Sequence, residues 1–102
     1  MAKARKIKFI CRACRWFDRT YGNTYHSVRV TRVRDNAVIV APLQYGYGEH
    51  YKQTALELIQ KNKWIKTSKD DFLWKYEREN NYPIHWEVSD GLKRDAVDNG
   101  IL

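Results

Sequence analysis

Apolar and polar residues alternate along the first third of the chain. Ile7, Phe9, Cys11 and Ala13 fall on one face and Lys6, Lys8 and Arg12 on the other, with Ile10 as the exception. A period of two is that of a half-buried β-strand. The stretch DRTYGN, Asp18 to Asn23, carries turn chemistry, with the reversal expected at Gly22-Asn23. The alternation resumes in TYHSVRVTRV, where His26, Val28 and Val30 share one face and Tyr25, Ser27, Arg29 and Thr31 the other. Asp35-Asn36 predicts the next turn. AVIVAPLQY is apolar on both sides, which points to a central strand, whereas its Pro42 points to an edge or a bulge.

The period then changes. Tyr51, Ala55, Leu58 and Ile59 recur at helical spacing, with Lys52, Gln53, Gln60 and Lys61 facing away, so a helix is expected from Glu49 or His50. Glu49 in its first turn and Lys61 and Lys63 in its last suit the helix dipole. Ser68, three residues before Asp71, reads as an N-cap, and residues 69–79 as a short helix with Phe72, Leu73 and Tyr76 inward. Asn80-Asn81-Tyr82-Pro83 breaks it; Ile84, Trp86 and Val88 then alternate as a fourth strand. Asp90 reads as the cap of a last short helix, LKRDAVDN, closed by Gly100. This order implies an α+β fold: a small antiparallel sheet of three to four strands packed on one main helix, with one or two short C-terminal helices. Residues 1–5 read as a basic arm and residues 6–102 as a single domain.

Charge sharpens this picture. The net charge is +7, but residues 1–34 hold ten Lys/Arg against the single acid Asp18, while residues 35–102 hold nine against eleven acids. The cationic excess therefore belongs to the first third of the chain. A field confined in this way attracts phosphates or an acidic protein. Phe9, Trp16, Phe17, Tyr21 and Tyr25 interleave with those cations. Cations that track phosphates and rings that stack on bases make the working surface of many single-strand binders. The expected face carries Lys6, Lys8, Arg12, Arg15, Arg19 and Arg29, with Tyr21 and Tyr25 as stacking rings and Lys3 and Arg5 adding charge from the arm. An acidic protein partner is the alternative, and a solvated surface that touches nothing is the plain one.

Other constellations are weaker. Cys11 and Cys14 have CxxC spacing, but the chain offers no second pair, and its histidines, His26, His50 and His85, are scattered. Positions i and i+3 of a strand point to opposite faces, so a shared metal is disfavoured; so is a redox role, which wants the pair at a helix start. No metal and no cofactor are expected. The turn QYGYGEHY has two glycines before a helix but no phosphate-loop or dinucleotide fingerprint. Tyr45, Tyr47, His50 and Tyr51 could still line a small pocket for an anion there. No acid–base or nucleophile pattern supports catalysis, so a non-enzymatic binding module is expected. Trp16, Trp64, Trp74 and Trp86 read as core and rim packing. No apolar run approaches the roughly 20 residues of a membrane span, and MAKARKIKFIC reads as a basic arm rather than a signal peptide. A reducing cytoplasm is the expected compartment.

WFDRTYGNTYHSV together with APLQYGYGEHYKQTALELI resembles the layout of small uncharacterised proteins encoded by bacteriophages, over residues 16–59. The resemblance implies no reaction. It implies a compact protein of the host cytoplasm that binds a host or phage macromolecule, such as an inhibitor docking on an acidic host or defence protein.

Overall fold

The computed structural model describes residues 6–65 and 73–102. The arm of residues 1–5, the expected Ser68–Asp71 cap and the start of the second expected helix lie outside the described residues. The elements are β1 (Phe9–Asp18), β2 (Asn23–Arg32), β3 (Ala37–Tyr45), α1 (His50–Lys61), α2 (Leu73–Glu79), β4 (Ile84–Asp90) and α3 (Lys93–Asn99). The α+β expectation stands, with one main helix and short C-terminal helices.

Turn chemistry sets the first hairpin. Gly22 takes φ +70°, its N–H donates to the Asp18 carbonyl at 2.7 Å, and the Asp18 carboxylate accepts from the Thr20 N–H at 2.9 Å. Only a residue tolerant of the left-handed region closes so tight a loop cheaply. The register follows: Cys11 faces Val30, Arg12 faces Arg29 and Trp16 faces Tyr25. At the second turn Asn36 sits at φ 59° and Asp35 accepts the Ala37 N–H.

The strand order is β3-β2-β1-β4. β3 is therefore an edge strand, not the central one that its apolar composition suggests. Pro42 has the expected consequence: the β2–β3 register slips between His26 and Val28, which leaves an extra residue on β3. β4 pairs with β1 in parallel, Phe9 opposite Ile84 through Arg15 opposite Asp90, so the sheet is mixed. Parallel neighbours need a long connection. Here α1 and α2 carry the chain from one edge of the sheet to the other. Asn81 and Tyr82, both at positive φ, and the Pro83 carbonyl, which accepts from the Lys8 and Phe9 N–H groups, then aim β4 along β1.

One sheet face meets α1. Phe9, Cys11 and Ala13 of β1, Val28 and Val30 of β2 and Ile84 of β4 close a core against Tyr51, Ala55, Leu56 and Ile59, with Tyr76 of α2 at its margin. Full burial of a side chain such as Leu56 or Ile59 contributes roughly 1.5–3 kcal/mol. The other face was expected to be open, and it is not. α3 lies across it, with Ala96 fully buried and the Ser27 hydroxyl donating to the Ala96 carbonyl at 2.5 Å. The Asn99 amide donates to the Arg12 carbonyl at 3.1 Å and to the Ser27 carbonyl at 3.3 Å. Gly100 follows so closely that a Cβ would come within 2.9 Å of the Ala41 carbonyl oxygen. The expected cap also differs: Asp95, not Asp90, accepts the Leu92 N–H, at 2.9 Å.

Candidate nucleic-acid interface

The second sheet face is built in rows across the strands. Arg12 and Arg29 form one, Cys14 and Ser27 the next, and Trp16 and Tyr25 the one nearest the hairpin tip. Tyr25 is in turn opposite Tyr45 on β3. The bonds of Ala96 and Asn99 seat α3 on the Arg12–Arg29 and Cys14–Ser27 rows. Beyond it runs a strip of rings drawn from three strands. The centroids of Trp16 and Tyr25 are 5.4 Å apart at an interplanar angle of 28°, and those of Tyr25 and Tyr45 are 5.9 Å apart, edge to face. The Lys93 ammonium stands 5.5 Å from the Trp16 centroid. Tyr45 is 60% exposed, and Phe17 (55%), Tyr21 (78%) and Tyr47 (72%) are further exposed rings flanking the strip in sequence. Beyond the Arg15–Asp90 pair β1 has no strand on its β4 side. An open groove of about 1040 Å³ runs there, lined by Trp16, Phe17, Arg19, Gly91 and Leu92 and also by the acidic residues Asp18, Asp90 and Asp95.

The predicted cations do not form one surface. Arg12 Nε donates to Glu87 at 2.7 Å. Arg15 forms a two-pronged pair with Asp90, at 2.8 and 3.2 Å, and donates to the Gly48 carbonyl at 3.2 Å. Arg29 donates to the Asn99 carbonyl at 3.4 Å and to the Ile101 carbonyl, binding the C-terminal residues to the sheet. The middle of the expected face is thus engaged inside the molecule: the parallel register sets Glu87 and Asp90 beside Arg12 and Arg15, and α3 delivers carbonyls to Arg29. Arg19, Tyr21 and Tyr25 stay together at the tip, whereas Lys6 and Lys8 lie at the far end of β1.

The expected tyrosine pocket does not assemble. Tyr45 and Tyr47 are exposed, while Tyr51 is buried edge-on against Trp86, 5.8 Å between centroids. His50 tilts against His26 instead, at 5.3 Å. A strand-to-helix reversal turns alternate side chains to opposite sides of the sheet, so four aromatics in eight residues need not converge. The His26 Nδ1–H donates to the Gly46 carbonyl at 3.1 Å, so Nε2 is the acceptor for the Thr54 hydroxyl at 2.7 Å. With His26 only 1% exposed, these bonds tie α1 to β2. Burial, reinforced by nearby His50, lowers the pKa of His26, against an opposing contribution from the Gly46 bond.

Cys11 and Cys14 are both buried, on opposite faces of β1, and burial pushes the Cys11 thiol pKa up. Among the described residues no group of three His, Cys, Asp or Glu side chains is placed to hold a metal ion, and no helix is long and apolar enough to cross a membrane.

Trp16 and Lys93 were missed as site residues, and Tyr45 was expected in the pocket at the helix start rather than on this strip. Trp16 could have been found, because a turn at Asp18–Asn23 necessarily sets it opposite Tyr25. Tyr45 reaches Tyr25 only through the slip at Pro42, and Lys93 only through the docking of α3, neither of which leaves a local signal. No protein-family model, curated protein or solved structure matches this chain.

Proposed function

We propose that this protein is a non-enzymatic binder of single-stranded nucleic acid and that the hairpin tip is its contact surface. The observation that carries the reading is the strip Trp16–Tyr25–Tyr45. It lies on the sheet face that also bears the basic rows, where α3 no longer covers it. Trp16 and Tyr25 are half-buried and Tyr45 is exposed, and rings set in a row outside the core in this way suit stacking against unpaired bases. Arg19 and Lys93 supply the cations for the phosphates alongside. An unpaired strand suits this surface better than a duplex, whose bases are already stacked.

The test is fluorescence anisotropy with a mixed-sequence, single-stranded oligonucleotide of roughly 15 nucleotides. Affinity should fall at least ~10-fold between low and moderate salt. Tyr25→Ala and Tyr45→Ala should each weaken binding by about 5- to 100-fold, the equivalent of ~1–3 kcal/mol per lost stack. No binding at low salt, or full affinity in both variants, refutes the reading. Capture of a nuclease-resistant acidic protein by the same tip would replace it with the protein-partner alternative.

A further inference from the structure

The far end of β1 holds a second concentration of charge that the aromatic strip does not use. A cleft of about 350 Å³ opens there, lined by Lys6, Lys8, Arg32, Arg34 and Trp64 together with apolar neighbours, and among the described residues no carboxylate lines it. Cations elsewhere on the sheet are answered: Arg12 by Glu87, Arg15 by Asp90 and Arg29 by C-terminal carbonyls. Arg32 is also answered, through bonds of 2.9 and 2.6 Å to Asp35. Lys6 and Lys8 are not, and Arg34 feels only the longer-range charge of Asp35, which Arg32 already binds: among the described residues none of the three has a carboxylate within ion-pair distance. Among the described residues, four cations less the one carboxylate of Asp35 leave an excess of three positive charges around one small cleft. Like charges gathered in this way repel, and a bound anion relieves the repulsion.

The cleft is also preorganised. The Arg32 guanidinium sits 4.5 Å from the Trp64 centroid, and Trp64 lies parallel to Phe9 at 6.0 Å. Held by a ring on one side and a carboxylate on the other, Arg32 keeps its place without a ligand. A monocarboxylate would neutralise a third of the excess; a chain of phosphates matches it. The volume is at the lower end of small-molecule sites, roughly 300–1,000 Å³.

We infer that the Lys6–Lys8–Arg34 cleft beside Trp64 is a binding site for a small polyphosphate-bearing anion, separate from the hairpin tip. The inference does not depend on nucleic-acid binding at the strip. Isothermal titration calorimetry with inorganic tripolyphosphate and with ATP, against sodium chloride at matched ionic strength, tests it. Both phosphate ligands should bind one to a chain, and Lys8→Ala with Arg34→Ala should weaken them about tenfold or more. Both positions are exposed, so the double variant should fold, which circular dichroism checks. ATP binding tighter than tripolyphosphate identifies a nucleotide as the ligand, and equal affinity identifies the bare phosphate chain. Tyr45→Ala should leave either affinity unchanged. Heats no larger than those of the salt control overturn the inference, as does an undiminished affinity in the double variant or a loss caused by Tyr45→Ala.

Discussion

Gly46→Ala should damage the fold more than any surface substitution of comparable size. A Cβ at this position would stand 2.6 Å from His26 Cε1 and 2.9 Å from His26 Nδ1, and also 2.9 Å from His50 Cγ. The His50 ring is exposed and can swing aside. His26 is only 1% exposed and is clamped between the Gly46 carbonyl and the Thr54 hydroxyl. To make room, the ring must leave one or both partners. Overpacking of this kind costs ~1–3 kcal/mol, and each lost hydrogen bond about 0.5–1.5 kcal/mol. The terms overlap, so the expected loss is roughly 2–4 kcal/mol. In a chain of this size that lowers the melting temperature by about 10–25 °C. Urea and thermal unfolding followed by circular dichroism measure it. Gly48→Ala is the control: nothing lies within 4 Å of its Cβ, but its φ of +61° should cost about 1 kcal/mol through backbone strain alone. In a His26→Ala background the Gly46→Ala penalty should shrink to under ~1 kcal/mol, because the clashing ring is gone. A Gly46→Ala protein within ~0.5 kcal/mol of the parent, or a penalty that persists without His26, would refute the account of the His26 clamp.

The pKa of His26 is lowered on folding, so the unfolded chain takes up the proton first; stability should therefore decline as pH falls below about 6.5, and His26→Gln should flatten that decline in pH-dependent urea titrations. Arg29→Ala should cost roughly 1.5–3 kcal/mol, since it releases the carbonyls of Asn99 and Ile101, whereas Arg12→Ala, an exposed ion pair, should cost under ~1 kcal/mol; equal costs in chemical denaturation would speak against the docking of the C-terminal residues on Arg29. Cys11 should resist alkylation by iodoacetamide until the protein unfolds, and Cys11→Ser should cost on the order of 1–3 kcal/mol by urea denaturation, because a buried hydroxyl would lack a partner in the apolar core.

Much of this architecture was legible one segment at a time. Alternation separated Cys11, Val28 and Val30 from Arg12 and Arg29, and the Asp18–Asn23 turn set their register. Helical spacing located α1 to within a residue. These features are local: a strand's period and a turn's backbone angles depend on residues a few positions apart, so they can be read along the chain. The arrangement of the strands could not be read in this way. An apolar β3 lies at the edge because β2 already has β1 on its other side. β4 runs parallel because two helices carry it across the sheet. The same holds for the chemistry of the surface. Periodicity puts Arg12 and Arg15 on definite faces but is silent on which carboxylates meet them. Their partners, Glu87 and Asp90, are each 75 residues away and arrive through the parallel register. A basic segment thus became two separate surfaces, an aromatic tip and a cationic cleft, once long-range pairing had neutralised the arginines between them.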